Sequence, residues 1–304
     1  MRRELGWRAA ILAVVAFFSL RVEAQQLEPR AYSASPVGTS FLSVGFSRST
    51  GDVTFDPTIP VTNVNATLHF STVGLSHTFG VFGRQTLFSA AIPYVWGNIT
   101  GQVGEVSGKI YRSGLSDMVL RYSVNLHGSP AMSPKEFASY RQSYILATSI
   151  TVQAPSGQYG SRKLINIGAN RWAFKPEVGF SYPVRKLYLD LYAGAWLYTA
   201  NSSFYPGTAN RTQQPTTALQ AHVSYNFRRA LWAAFDATWY GGGAISTNGG
   251  PDNERQSNSR IGGTVSIPLR GQQSIKVAYS SGVTGTIGAN LKTVTISWQK
   301  IWLH

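Results

Sequence analysis

Between Gly114 and Gly128 the chain reads GLSDMVLRYSVNLHG, with Met118, Leu120, Tyr122, Val124 and Leu126 at every second position. Asp117, Arg121, Ser123, Asn125 and His127 occupy the positions between them. A period of 2 puts alternate side chains on opposite faces of a strand, so one face is apolar and the other polar. The pattern recurs in NRWAFKPEVGFSYPV, where Trp172, Phe174, Pro176, Val178, Phe180 and Tyr182 alternate with Lys175, Glu177, Gly179 and Ser181. It recurs again in LYLDLYAGAWLY, with Leu187, Leu189, Leu191, Ala193, Ala195 and Leu197 opposite Tyr188, Asp190, Tyr192, Gly194 and Trp196. Similar segments run over 41–47, 66–78, 86–96, 144–153, 260–269, 274–283 and 291–302. No stretch after the first 24 residues carries a convincing helical period. The count comes to about twelve strands.

The connections alternate in length. Short basic or Gly-rich turns are expected at Arg185-Lys186, Arg228-Arg229-Ala230 and Arg270-Gly271-Gln272, and longer polar loops at 97–113, 154–169, 201–216 and 242–259. Aromatic residues collect near strand ends, as at Tyr94, Trp96, Trp172, Trp196, Trp239, Trp298 and Trp302. This is the layout of a transmembrane antiparallel up-and-down β-barrel, all-β, with short periplasmic turns and longer extracellular loops. A soluble sandwich or lipocalin-like barrel would also alternate, but its outer face would be charged. Here the polar face is mostly Ser, Thr, Gly and Asn.

Composition sharpens this picture. Only 13% of the 304 residues are charged while 43% are hydrophobic, which fits neither a disordered chain nor a helical membrane protein. The one long apolar run, Ala9–Leu20, follows Arg2, Arg3 and Arg8 and precedes Val22-Glu23-Ala24. Residues 1–24 are therefore expected to be a cleavable signal peptide. Residues 25–37 lack alternation and carry Pro29 and Pro36; they are expected in the periplasm or inside the lumen, and 38–304 form the barrel. The mature chain would keep 23 basic and 11 acidic residues and no cysteine. That basic excess suits anionic lipid or an anionic solute, and export argues against nucleic acid.

Several stretches resemble the family of outer-membrane transporters named for the MetA pathway of phenol degradation. They are LEPRAYSASPVGTSF, DLYAGAWLYTANSSFYPG, ALQAHVSYNFRRALWAAFDATWYGGG, SNSRIGGTVSIPL and KVAYSSGV, in that order, from about Leu27 to Trp302. The resemblance implies a single outer-membrane barrel with a channel role, suggested for aromatic or other hydrophobic compounds. It also implies outer-membrane lipid and lipopolysaccharide as surroundings and the insertion machinery as a partner. That machinery is expected to read Trp302, two residues short of His304.

Catalytic and metal motifs are scarce, so no enzyme activity, cofactor or metal is expected. None of His69, His77, His127, His222 and His304 opens an HExxH motif. GEVSGKI (104–110) has the wrong spacing for a phosphate loop, and PDNERQSN (251–258) offers oxygen atoms that an ordinary solvated loop also has. Ser76 and His77 are adjacent and point to opposite faces, although a serine on a neighbouring strand could serve a lipid hydrolase. By parity Arg121, Lys175, Glu177, Asp190, His222, Asp236, Arg260 and Lys276 face inward, and they are the candidate lumen lining. In a three-residue turn at 228–230, Phe227 would face Leu231, and His222 would stand opposite Asp236 in the lumen. The resulting expectation is a monomer or weak oligomer that passes small, hydrophobic or aromatic solutes through a narrow polar lumen. Its alternatives are an adhesive or structural barrel and an outer-membrane lipid hydrolase.

Overall fold

The computed structural model describes residues 27–54, 62–103, 105–163, 165–253, 255–285 and 288–303. The expected signal peptide lies outside them. In chain order the strands are β1 (Thr39–Thr54), β2 (Thr62–Val81), β3 (Arg84–Val103), β4 (Val106–Leu115), β5 (Val119–His127), β6 (Ile145–Gln153), β7 (Ala173–Val184) and β8 (Leu187–Tyr198). They continue with β9 (Asn201–Phe204), β10 (Ala209–Gln213), β11 (Thr216–Arg228), β12 (Leu231–Gly242), β13 (Ile245–Thr247), β14 (Gln256–Leu269), β15 (Gln273–Gly285) and β16 (Gly288–Leu303). One helix, α1 (Pro134–Ser139), lies between β5 and β6.

Antiparallel pairing closes the sheet: β1 binds both β2 and β16, and β2 binds β3. Strands β4 and β5 share one position, both pairing with β3 on either side of a break at Ser116–Met118. The result is a closed twelve-stranded barrel. Closure leaves no unpaired edge, which a strand structure in lipid requires. No described helix is long and apolar enough to cross a membrane.

The outer face follows from the alternation. Val44, Phe88, Ile92, Val178, Leu189, Leu191, Val223, Phe235, Val265 and Ile296 are exposed large hydrophobics spread around the wall. An exposed apolar surface of this extent is what lipid contact demands. Leu191→Arg would place a cation there. It is expected to cost about 2–4 kcal/mol if the position lies at midplane, read as a lower urea midpoint for the protein refolded in liposomes.

The expected loop at 97–113 is a hairpin instead. β3 continues to Val103 and β4 begins at Val106, because alternation persists there with its sense reversed. Gly97, Ile99 and Gly101 face in and Asn98, Thr100 and Gln102 face out, as they should once the outer face is in water. Two other expected loops, 201–216 and 242–259, carry β9, β10 and β13, which form a small separate sheet at the same end of the barrel. We call this the loop end and the other the turn end.

Helix α1, which no helical period announced, is fixed by local chemistry. Pro134 occupies its first turn, and Ser133 and Glu136 form a capping box: Ser133 N donates to Glu136 Oε2 at 2.7 Å and Glu136 N donates to Ser133 Oγ at 3.3 Å.

Candidate functional site: a constriction inside the barrel

The expected cross-strand pair is present. His222 stands opposite Asp236, with Nδ1 2.7 Å from Oδ1, and both side chains are fully buried. Thr264 Oγ1 donates to the other carboxylate oxygen at 2.9 Å. The pairs Tyr225–Ala233, Val223–Phe235 and Leu219–Trp239 also form. The turn itself differs from expectation. Arg228, not Phe227, stands opposite Leu231, and the register shifts between Asn226 and Arg228. Ala230 adopts a left-handed φ of 61° that closes the turn, and the extra residue is absorbed as a bulge at Phe227.

A second cluster forms across β5, β6 and β7. Lys175 Nζ lies 2.9 Å from Glu177 Oε2 and Arg121 Nη2 lies 3.8 Å from Glu177 Oε1. Glu177 is 2% exposed, so its charge is held by these cations and not by bulk water. Asp190 is also buried, on the inward face of the neighbouring strand β8. Arg260 donates to Ser280 Oγ at 2.8 Å and to the Leu291 carbonyl at 3.0 Å. Lys276 stands over the Trp232 ring at 5.8 Å. The eight residues thus occupy three places: the Glu177 cluster, the Asp190–His222–Asp236 row, and the flanking Arg260 and Lys276.

What joins the first two is the N-terminal segment. Arg30 N donates to Asp190 at 3.3 Å, its Nε to Ser224 Oγ at 2.9 Å and its Nη2 to Asn226 Oδ1 at 2.8 Å. Its guanidinium also lies 4.7 Å from both the Tyr188 and Trp232 rings. Tyr32 Oη donates to Glu177 at 2.9 Å and lies 2.8 Å from Ser149 Oγ, while Arg121 covers its ring at 4.6 Å. Burial pushes the Tyr32 hydroxyl well above its ordinary pKa, so it remains a donor. Burial alone would raise the Glu28 carboxyl, but Lys175, Arg121 and His222 around it carry it below its ordinary value. The segment then leaves through the turn end, where Val37 N donates to the Met132 carbonyl at 2.8 Å and Ser35 N to Gln85 Oε1 at 2.9 Å.

The wall leaves room for this insertion. A Cβ built at Gly179 would lie 2.2 Å from the Tyr32 ring, and one at Gly262 would lie 2.3 Å from Leu27. Gly179→Ala is therefore expected to displace the segment while sparing the wall. Exposure of Tyr32, read by limited proteolysis after Arg30, would rise several-fold.

Parity alone missed a third feature. Toward the loop end, the inward faces of β1 to β3 and β16 are apolar and buried: Val53, Val64, Ala66, Leu68, Val95, Ile99 and Leu291. The sequence signal is a change of phase. In β2 the apolar positions are Val64, Ala66, Leu68 and Phe70, and then Val73, Leu75 and Phe79. The lumen is thus apolar on one wall and polar on the others, both where the N-terminal segment crosses and where Arg260 reaches Ser280.

On the outer surface at the turn end, Ser40 Oγ lies 2.8 Å from His77 Nδ1 across β1 and β2. Ser76, the sequence neighbour of His77, points inward opposite Phe41. No group of three or more His, Asp or Glu residues able to hold a metal occurs among the described residues.

A closed antiparallel barrel with a lipid-facing band and a charged, occupied interior defines an outer-membrane β-barrel. The fold is similar to that of an outer membrane channel from Pseudomonas putida F1, with a TM-score of 0.76 at 18% identity over 91% of this chain and 100% of that one. It is also similar to the beta domain of the Bordetella autotransporter BrkA, with a TM-score of 0.53 at 12% identity over 88% and 100%. No curated protein matches the chain. Residues 46–297 match the family model described as "Putative MetA-pathway of phenol degradation", and the chain belongs to that family.

Proposed function

We propose that the protein is a channel of the outer membrane for small hydrophobic or aromatic solutes, closed at rest by its own N-terminal segment. One observation carries this reading: the apolar wall and the occupied constriction lie on the same path through the barrel. The apolar wall offers a solute somewhere to leave water. The constriction beneath it is held by side-chain hydrogen bonds and ring contacts, which are individually worth little and are exchangeable with water. Among the described residues, the segment 27–37 joins no strand of the barrel, so it can move without unpairing the wall. In this reading the turn end faces the periplasm and the loop end the exterior, and passage needs no cofactor. The P. putida structure named above is itself an outer membrane channel, which supports the class but not the solute.

The test is uptake of phenol, benzoate and a neutral sugar by liposomes holding the refolded protein, alongside planar-bilayer recording. Faster entry of the two aromatic compounds is expected. Sealed liposomes and silent bilayers for all three, both with the intact protein and with the segment removed, would end the channel reading.

A second reading rests on Ser40 and His77, whose contact is the neighbouring-strand arrangement a lipid hydrolase would use. A phospholipase assay in detergent comparing the intact protein with Ser40→Ala decides it. Equal, background-level rates dispose of it.

A further inference from the structure

The outer surface of β16, β1, β2 and β3 shows where the apolar band ends. Opposed positions form rows across these strands. One row runs Ile296, Phe46, Ser71, Tyr94; the next, Val294, Arg48, His69, Trp96; the next, Lys292, Thr50, Thr67, Asn98. The first is largely apolar and the third wholly polar, so the middle row lies at the water boundary. Its rings are stacked: His69 lies 6.0 Å from Phe46 and 5.5 Å from Trp96, and Trp96 lies 6.0 Å from Tyr94. Aromatic rings at this level suit the boundary between acyl chains and head groups.

Two cations flank those rings, Arg48 in the same row and Lys292 in the next. Arg48 and Lys292 are exposed, and neither makes a hydrogen bond or ion pair with any described residue. Among the described residues one carboxylate is near, Asp52, a row further out, and its Oδ1 accepts a hydrogen bond from Asn65 Nδ2 at 3.2 Å. Two unpaired cations beside a rigid apolar surface are complementary to one kind of ligand, an anionic group carried directly on acyl chains.

We propose that this surface is a docking site for the phosphorylated sugar head of an outer-leaflet glycolipid of the lipid A type. Arg48 and Lys292 take a phosphate, and Phe46, Tyr94, Val294 and Ile296 take the acyl chains. The outer-leaflet assignment rests on the loop end facing the exterior; the phosphate chemistry does not. The site lies outside the lumen, so it stands or falls separately from solute passage.

The test is native mass spectrometry of the intact detergent-solubilised protein titrated with bisphosphorylated lipid A, with phosphatidylglycerol as competitor. Arg48→Ala/Lys292→Ala is expected to weaken retention of lipid A about tenfold or more. Arg228→Ala/Arg229→Ala, which removes two exposed cations from the turn end, is expected to leave it unchanged. Arg48→Lys/Lys292→Arg should retain most of the binding, and heat-modifiable gel mobility shows that each variant is folded. Should the double alanine variant misfold, Lys292→Ala alone is expected to weaken retention several-fold. Absence of binding by the intact protein, equal loss in both alanine pairs, or equally effective competition by phosphatidylglycerol would each overturn the proposal. The last two outcomes would reveal only general attraction to anionic lipid.

Discussion

Removing residues 27–36 is expected to raise single-channel conductance several-fold and to leave the barrel folded. The segment lies across the lumen from Leu27 beside Gly262 of β14 to Ser35 on Gln85 of β3, and on the way Arg30 contacts Asp190 and Tyr32 contacts Glu177 on the adjacent strands β8 and β7. The pairings of β1 with β2 and β16 involve no residue of the segment, so folding, checked by heat-modifiable mobility, should persist. A twelve-stranded wall encloses more space than the eight strands that side chains alone can fill; without the segment, water takes its place. Acid should act in the same direction. The Glu28 carboxyl sits below its ordinary value because Lys175, Arg121 and His222 outweigh the cost of burial. Its attraction is therefore present in full above the ordinary carboxylate range and lost as pH falls through its lowered value. Conductance of the intact protein should rise across that acidic window, and conductance of the truncated protein should show no such step from Glu28. Unchanged current after truncation at neutral pH would show that the segment does not limit flow.

Much of this architecture was legible because a period of 2 is hard to disguise. The position of His222 opposite Asp236 followed from parity and from the turn at 228–230, even though the extra residue proved to be a bulge at Phe227. An error of one residue in the turn was absorbed locally because a slip along β11 would have sent Val223 and Tyr225 into the lumen. The loop at 97–113 was misread for a physical reason. Above the membrane a strand turns its polar face outward, so Asn98, Thr100 and Gln102 resemble a loop in composition while remaining in register. The phase change between Phe70 and Val73 was the available signal, and it locates the same boundary that the Arg48–His69–Trp96 row marks.

The N-terminal segment was harder to read. Its partners Ser149, Glu177, Asp190, Tyr192 and Ser224 are more than a hundred residues away, and no local period encodes contacts of that range. Sequence alone left it inside the lumen or in the periplasm. Gly179 carries a local signal, since an inward glycine marks a place where something approaches closely, here the Tyr32 ring. Helix α1 was readable from Ser133, Pro134 and Glu136, a start signal that needs no helical period in so short an element.

Glu177→Ala should have the largest effect on stability, a loss of about 3–5 kcal/mol, because it strips the shared anion from Lys175 and Arg121 and the acceptor from Tyr32. The loss would be read as a shift in urea midpoint for the refolded protein. Glu177→Gln keeps an acceptor for Tyr32 and should lose less, which separates the hydrogen bond from the charge. The decisive comparison is the same substitution in the chain lacking residues 27–36. There water reaches Lys175 and Arg121, and a hydrated ion pair is worth roughly 1 kcal/mol or less. The cost of Glu177→Ala should therefore shrink several-fold, the non-additivity measuring the coupling between the wall and the inserted segment. Equal costs in the two backgrounds would mean that Glu177 braces the wall by itself, and that Tyr32 merely rests against it.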